Sequence, residues 1–482
     1  MLVVGWIATL LLSTAAAVFA QAQGQTFAPD AVIPFDSAVR TGTLQNGVTF
    51  MIRRNDQPAR RVALRLAVKA GSLDESDDQQ GLAHFIEHMA FNGSAHFKPG
   101  ELVSYFESTG ARLGPHVNAY TSFEETVYML ELPTDNPEIV RRGIDALADF
   151  GGGLTLDPEE VDKERGVVVE EWRGRLGAGS RVRDKQVPVL YSGSRYAERL
   201  PIGKPEVLRT APVARLRAFY DTFYRPDRMA VIAVGDVDPS AIETAIRDAF
   251  GPLAARAPAA PRGEATVPLP NDLLVSLVSD PEVTQSSVQL VHKRPAGSRT
   301  LVRDYRQNIV ERLADRMLNE RFGEIGRRPD APFLGASGGG GSLTPTVDTY
   351  ILSARTPDGG LSAGLNAIIT EARRVQQFGF TAPELDRARR SMLSFYERAY
   401  NERNRTESGS FAGEYVSYFL DGEPSPGIEY EYRLAQEVIP AVTLDETSAI
   451  VRARLRDESR VVLLTAPEKS GLAQSQIGRA HV

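Results

Sequence analysis

The chain has 482 residues, a formal net charge of −7, six histidines and no cysteine. That length exceeds one ordinary hydrophobic core and predicts two domains of about 220 residues each, or three smaller ones, and the negative charge gives no electrostatic footing for nucleic acid. With no cysteine, disulfides, thiolate metal sites and cysteine nucleophiles are excluded, so any metal must be held by histidine and carboxylate.

Residues 2–20 are nearly all apolar or small, and Gln21-Ala22-Gln23-Gly24-Gln25 follows. Ala20 and Ala22 offer small-residue cleavage sites, so residues 1–22 read as a secretory signal peptide, although no Lys or Arg precedes the apolar run. The expected mature protein is exported, with a periplasmic location and no membrane contact after cleavage, since no later stretch is long and apolar enough to span a bilayer.

The Asn46-Gly47 pair between apolar residues predicts a hairpin over 41–50. Val62, Leu64, Leu66 and Val68 alternate and predict a strand with one buried face, ended by Gly71. A polar loop, 74–80, leads to a helix opening at Gly81. Pro99 opens another, with Leu102, Tyr105 and Phe106 on one side and Gly110 closing it. A strand runs through 126–130. Helical patterns cover 136–150, 157–175, 213–224 and 239–250, with a buried strand from Met229 to Gly235. The Ala- and Pro-rich stretch 254–271 predicts a linker. The order then repeats. Strands are expected at 273–278, 287–292, 350–354 and 461–466, and helices at 304–324, 362–377 and 382–403. The Gly338–Gly341 run reads as a flexible loop rather than a phosphate cradle, because no Lys or Ser/Thr follows in register. The fold class is therefore α+β, with two copies of one unit, each a mostly antiparallel sheet packed on helices. The first, metal-bearing copy spans 36–253 and the second, metal-free copy 272–476. Residues 477–482 fit no pattern and read as an artefactual tail, so that the natural chain is expected to continue past Gln476.

The chemistry centres on His84, Glu87 and His88, an H-x-x-E-H motif. Residues four apart on a helix lie one above the other, so both imidazoles project from one face as a two-point grip for a metal. Glu87 shares that face and reaches a metal-activated water without being a ligand. A catalytic zinc takes three protein ligands and keeps a position for water. His96, His116 and His292 are candidates by type for the third. The alternative is a carboxylate from Glu164-Arg165-Gly166-Val167-Val168-Val169-Glu170-Glu171, where Glu164 and Glu171 share a helix face and Glu170 is turned away. Val167 and Val168 predict that part of this segment is buried, and acids beside such a patch need a partner.

These pieces, with Asn118-Ala119-Tyr120-Thr121, Tyr224-Arg225-Pro226-Asp227-Arg228-Met229 and Val234-Gly235-Asp236, resemble the insulinase/pitrilysin family of zinc metallopeptidases. The match is dense over 36–250 and resembles the large exported bacterial members built from two such halves. The resemblance implies that Glu171 is the third ligand of one Zn2+ per chain, beside His84 and His88. It implies that Glu164 stands with Glu87 among the catalytic acids, and that Asn118 and Ala119 line a substrate cleft, pairing with an extended peptide backbone. It also implies that the chain forms half of a clamshell, with a second half or partner subunit closing the cleft and supplying an Arg and a Tyr. No such pair stands out in 272–476; Arg398 and Tyr400 read equally as a helix surface. The expected activity is zinc-dependent endopeptidase cleavage of peptides or unfolded segments, with Glu87 as general base. The alternative is a peptide-binding half that is inactive without a missing C-terminal half or partner. His-His-Glu suits zinc and would also take manganese or cobalt.

Overall fold

In the computed structural model of the protein, residues 27–262 and 265–469 are described. The expected signal peptide and the tail from residue 477 lie outside them. The alternating 61–68 run becomes the interior of a six-stranded sheet. Its strands are β1 (Arg40–Thr43), β2 (Thr49–Arg54), β3 (Arg61–Val68), β4 (Val117–Thr121), β5 (Thr126–Pro133) and β6 (Met229–Gly235). They are ordered β1-β2-β6-β3-β5-β4, and only β2 and β6 run parallel. The second sheet contains β7 (Leu274–Asp280), β8 (Ser286–Pro295), β9 (Gly335–Thr344), β10 (Val347–Thr356) and β11 (Arg460–Pro467), in the order β7-β11-β8-β10-β9. Only β7 and β11 are parallel there. Setting aside β1, the two sheets have the same strand order and the same placing of the one parallel pair. The chain is thus two copies of one α+β unit.

Most of the helices cover the inner face of their own sheet. The first unit carries α1 (Leu82–Met89), α2 (Glu101–Ser108), α3 (Pro137–Gly152), α4 (Pro158–Gly174), α5 (Ala178–Leu190), α6 (Pro205–Thr210), α7 (Val213–Phe223) and α8 (Pro239–Phe250). The second carries α9 (Val302–Gly326), α10 (Leu361–Phe378), α11 (Ala382–Asn401), α12 (Ser408–Asp421), α13 (Ile428–Ala441) and α14 (Leu444–Arg454). Local chemistry sets the starts. Asp157 caps α4 by accepting from the Glu159 amide at 2.8 Å, with Pro158 in the first turn, where its missing N–H costs nothing.

Two expectations are corrected. The 338–341 glycines lie in strand β9, paired in register with β10 from Gly338↔Leu352 to Gly341↔Thr349. A Cβ on Gly338 would lie 2.9 Å from Leu352 Cδ2, and one on Gly340 2.9 Å from Arg454 Nη2. The glycines therefore let neighbouring side chains cross the strand. Strand β3 is buried on both faces, not one. Val62, Leu64, Leu66 and Val68 face the inner helices, while Ala63 and Ala67 face a helix of the other unit.

That second helix is α12. Its Phe411, Ala412, Tyr415 and Val416 pack on Met51, Ala63, Ala67, Val127, Ala230, Ile232 and Val234, the outer face of the first sheet. Arg53 donates to the Tyr415 hydroxyl at 2.9 Å and lies 3.9 Å over the Phe411 ring. The first unit reciprocates with α5. Val189 and Leu190 pack on Val291, Val461 and Leu463, the outer face of the second sheet. Arg181 holds Asp280 at the end of β7 with two bonds of 2.6 and 2.7 Å. The two helices are equivalent, since α5 follows α3 and α4 as α12 follows α10 and α11. Residues 254–271 form neither helix nor strand where described. Arg256 ties this stretch to the Tyr220 and Tyr224 carbonyls at 3.3 and 3.1 Å.

Because α12 closes the first sheet, Phe411→Ala should cost about 3–5 kcal/mol and speed amide exchange in β3 and β6. Exchange gained only in the second unit would refute a shared core.

Candidate metal centre

The site is built on α1, whose start is buried. The first N–H groups of a helix have no partner inside it. Here the Glu75 carboxylate takes them, accepting from Gly81 N at 3.0 Å to each oxygen and from Ala83 N at 2.8 Å. Glu75 is fully buried, and its own carbonyl accepts from Arg195 and Arg199. Gly81 has φ +100°, and a Cβ there would lie 2.9 Å from Gly203 Cα. The turn needs glycine for conformation and for space. Leu82, Ala83, Phe85, Ile86 and Met89 are all buried, so α1 keeps one face for His84 and His88.

Helix α4 lies against that face. Val161, Val168 and Val169 are its buried residues, whereas Val167 is half exposed, a correction to the expected buried pair. Glu171, one turn from the end of α4, points its Oε2 at both imidazoles, 3.1 Å from His88 Nε2 and 3.6 Å from His84 Nε2. The two Nε2 atoms are 3.3 Å apart. Zinc bonds of about 2.0–2.1 Å in a tetrahedron place neighbouring donors roughly 3.3 Å apart. Three donors of the right type thus converge at nearly that spacing, and the residues fit the group. Among the described residues, His84, His88 and Glu171 are the one such cluster.

Neighbours orient the three donors. Glu164 Oε1 lies 2.8 Å from His88 Nδ1, and its Oε2 accepts from Asn92 Nδ2 at 2.8 Å. A proton held on Nδ1 leaves Nε2 free for a metal. Arg175 donates twice to Glu171 Oε1, at 3.1 and 2.7 Å, which leaves Oε2 to the histidines. The electrostatics follow. Burial opposes charge on His88, but the bonds to Glu164 and Glu171 outweigh it and push its pKa up to about 9. Burial and the neighbouring His88 push His84 down to about 4. The His88 bond pulls Glu171 down to about 2. Without a metal, His88 is therefore the charged imidazolium at neutral pH, and His84 stays neutral.

Glu87 is 8% exposed, and its Oε2 accepts from the Thr121 hydroxyl at 2.6 Å. Burial pushes its pKa up, against the pull of that bond. Thr121 ends β4, whose one strand neighbour among the described residues is β5; apart from a bridge between Val117 and Leu113, its other edge is open. Asn118 is exposed on that strand and Ala119 half-buried. The other sequence candidates lie elsewhere. His96 Nδ1 sits 2.8 Å from Asp149 Oδ1, and His116 Nδ1 accepts from Arg112 N at 3.0 Å. His292 lies on β8 in the other unit. Glu170 turns outward to Arg173. Tyr400 stacks on Tyr432, within the second unit. Glu75, Asn92, Thr121 and Arg175 were not singled out from the sequence. Asn92 and Arg175 each stand four residues after a ligand candidate, which is the signal that points to them.

Residues 50–184 match the sequence model of the insulinase family (peptidase family M16), and 211–392 that of the M16 inactive domain; together they cover more than half of the chain. A zinc protease PQQL-like from Arabidopsis thaliana is 35% identical over 432 residues, which are 89% of this chain and 42% of that protein. The probable zinc protease PqqL of Escherichia coli is 30% identical over 419 residues, 86% of this chain and 44% of that one. The crystal structure of the first half of the periplasmic protease PqqL from Escherichia coli superposes with a TM-score of 0.85 at 28% identity, over 90% of this chain and 93% of that one. The chain spans less than half the length of these two curated relatives. With the strand order of the fold, these matches establish that the chain belongs to the insulinase family of peptidases, family M16.

Proposed function

We propose that this chain carries the catalytic centre of an exported, zinc-dependent endopeptidase acting on peptides or unfolded segments. The observation that carries the reading is the convergence of His84 Nε2, His88 Nε2 and Glu171 Oε2 beside a buried Glu87 tied to an open strand edge. When bound there, zinc supplies a Lewis acid for the scissile carbonyl and an acidified water. Glu87, its Oε2 held by Thr121, would act as general base, taking a proton from the attacking water and returning it to the amine as the C–N bond breaks. The Thr121 hydroxyl holds Oε2, so Oε1 is the oxygen presented as base. The substrate backbone adds to the edge of β4 at Asn118 and Ala119, an attachment with little dependence on side chains. Glu164 works through His88, fixing its tautomer and ring angle. Export is supported by the apolar leader and by the periplasmic relative. No helix among the described residues is long and apolar enough to cross a membrane.

A second reading has its own observation. The matched relatives are more than twice as long as the segment they share with this chain. On this reading the chain is a peptide-binding half whose turnover needs a further half or a partner subunit. Added peptide would then bind but stay uncleaved until that half is supplied.

Glu87→Gln should leave one zinc per chain and lower kcat/KM on a mixed fluorogenic peptide library by about 10²–10⁴; equal activity would remove Glu87 as the base. Glu171→Ala should lose zinc during dialysis that the unaltered protein survives, and retained zinc would exclude it as a ligand. Thr121→Val should lower kcat by about tenfold or more, with zinc content and KM little changed, while Thr121→Ser keeps activity. An equal fall in both variants would refute the hydroxyl's role. Zinc and a proton compete for His88. Apparent zinc affinity should therefore fall about tenfold per pH unit below about 9 and level off above it, read by chelator competition.

A further inference from the structure

A cavity of about 260 Å3 lies in the metal-free unit between the inner face of the second sheet, α10, the end of α14 and the start of β11. At ~30 Å3 per water, it has room for roughly nine waters, or a molecule the size of leucine. Leu290, Leu352, Ile369 and Leu455 give it an apolar lining.

His292 lines the same cavity and is 6% exposed. Its Nδ1 lies 3.0 Å from the Arg456 carbonyl, which can only accept, so the ring proton sits on Nδ1. Its Nε2 is buried and has no hydrogen-bond partner. Burial keeps the ring neutral, with a pKa pushed down to about 4. An unpaired buried acceptor is costly and calls for a donor. The mouth carries the opposite requirement. Arg373, Arg456 and Arg460 line it beside one acid, Asp457. Arg373 and Arg460 share that acid, at 3.1 and 3.3 Å, and Arg456 donates from Nε to the Ala453 carbonyl. The rim is left with two positive charges in excess. Guanidinium groups favour carboxylates through paired hydrogen bonds.

We propose that this cavity binds an apolar α-amino acid with a free carboxylate, either as the free acid or as the last residue of a short peptide. The carboxylate meets the arginine rim, the amino or amide N–H meets His292 Nε2, and the aliphatic side chain lies on the leucines. These are the ends that peptide hydrolysis creates, so the metal-free unit has a place to sense product. Occupancy of the cavity does not depend on zinc, and it is measured apart from turnover.

The test is calorimetry of the full chain bearing Glu87→Gln, with leucine, glycyl-leucine, leucinamide and 4-methylpentanoate as probes. Leucine or glycyl-leucine should bind saturably, one per chain, and which of them binds identifies the source. Leucinamide lacks the carboxylate and 4-methylpentanoate lacks the nitrogen, so both should bind at least tenfold more weakly. Arg373 is half exposed at the rim, so Arg373→Ala should weaken binding at least tenfold without moving the thermal midpoint. The His292 Nε2 signal in nitrogen-15 NMR should shift with the bound probe. Equal affinity for all four compounds, no saturable binding at 10 mM, or a bound probe that leaves Nε2 unmoved would each overturn the proposal.

Discussion

The candidate metal centre depends on one buried carboxyl group that bonds neither the ligand candidates nor Glu87. A helix that begins inside a protein must have its first N–H groups satisfied there. Glu75 satisfies two residues' N–H groups and is itself fixed by two arginines from the 195–199 segment. Burial pushes the Glu75 pKa up to about 8, against the pull of the Ala83 and Gly81 amides. The angle at which α1 leaves Gly81 is thereby set from below, and the 3.6-residue helical turn does the rest. His84 and His88 reach one point, and Glu87 reaches the space beside it.

Setting α1 would be of little use if α4 were free to move. Glu171 must hold its oxygen within a few tenths of an ångström of a common centre with the two imidazoles. Glu164 lies two turns earlier on α4 and binds the far side of the His88 ring, so α4 touches the same histidine twice. The two contacts make the distance between helices a property of a small rigid set. The exchange of α5 and α12 extends this stiffness to the whole chain. Each sheet has a layer of small or aliphatic residues on its outer face that only the other unit's helix covers. Separating the units would expose both faces, so the cleft wall cannot drift relative to the metal-free unit without loss of core.

Much of this was legible in the sequence, and the limits have physical causes. Helical period alone places His84, Glu87 and His88 on one face. It could not choose among Glu164, Glu170 and Glu171, because spacing says which face an acid occupies and not which neighbour it meets. Glu171 was singled out by family resemblance. The repeat was readable because strand order follows strand patterning. The exchanged helices were not, since α5 and α12 bury their apolar faces against sheets more than eighty residues away in sequence. For the same reason β3 looked half exposed. Ala63 and Ala67 are small, and only a distant partner makes them core. The glycines of β9 looked like a loop because glycine carries no sign of the side chains that pass over it.

The second unit shows what the architecture does without a metal. Helix α9 follows β8 as α1 follows β3, and where α1 has His84, Glu87 and His88, the stretch 312–316 has Arg312, Asp315 and Arg316. The acid there, Asp315, is half-buried, with its side chain 17% exposed. Burial raises Asp315 to about 6, and Arg454 pulls against that rise. Arg454 is itself buried and reaches Asp315 at 2.7 Å and Glu311 at 2.6 Å. A guanidinium anchored on α14 thus occupies the electrostatic role that a divalent cation would have in the first unit. The difference is that a fixed cation satisfies the acids permanently. It has no open position for water and none for a carbonyl oxygen. The strand order stays the same, and an internal cation stands in the second unit where the first brings together three metal-ligand candidates.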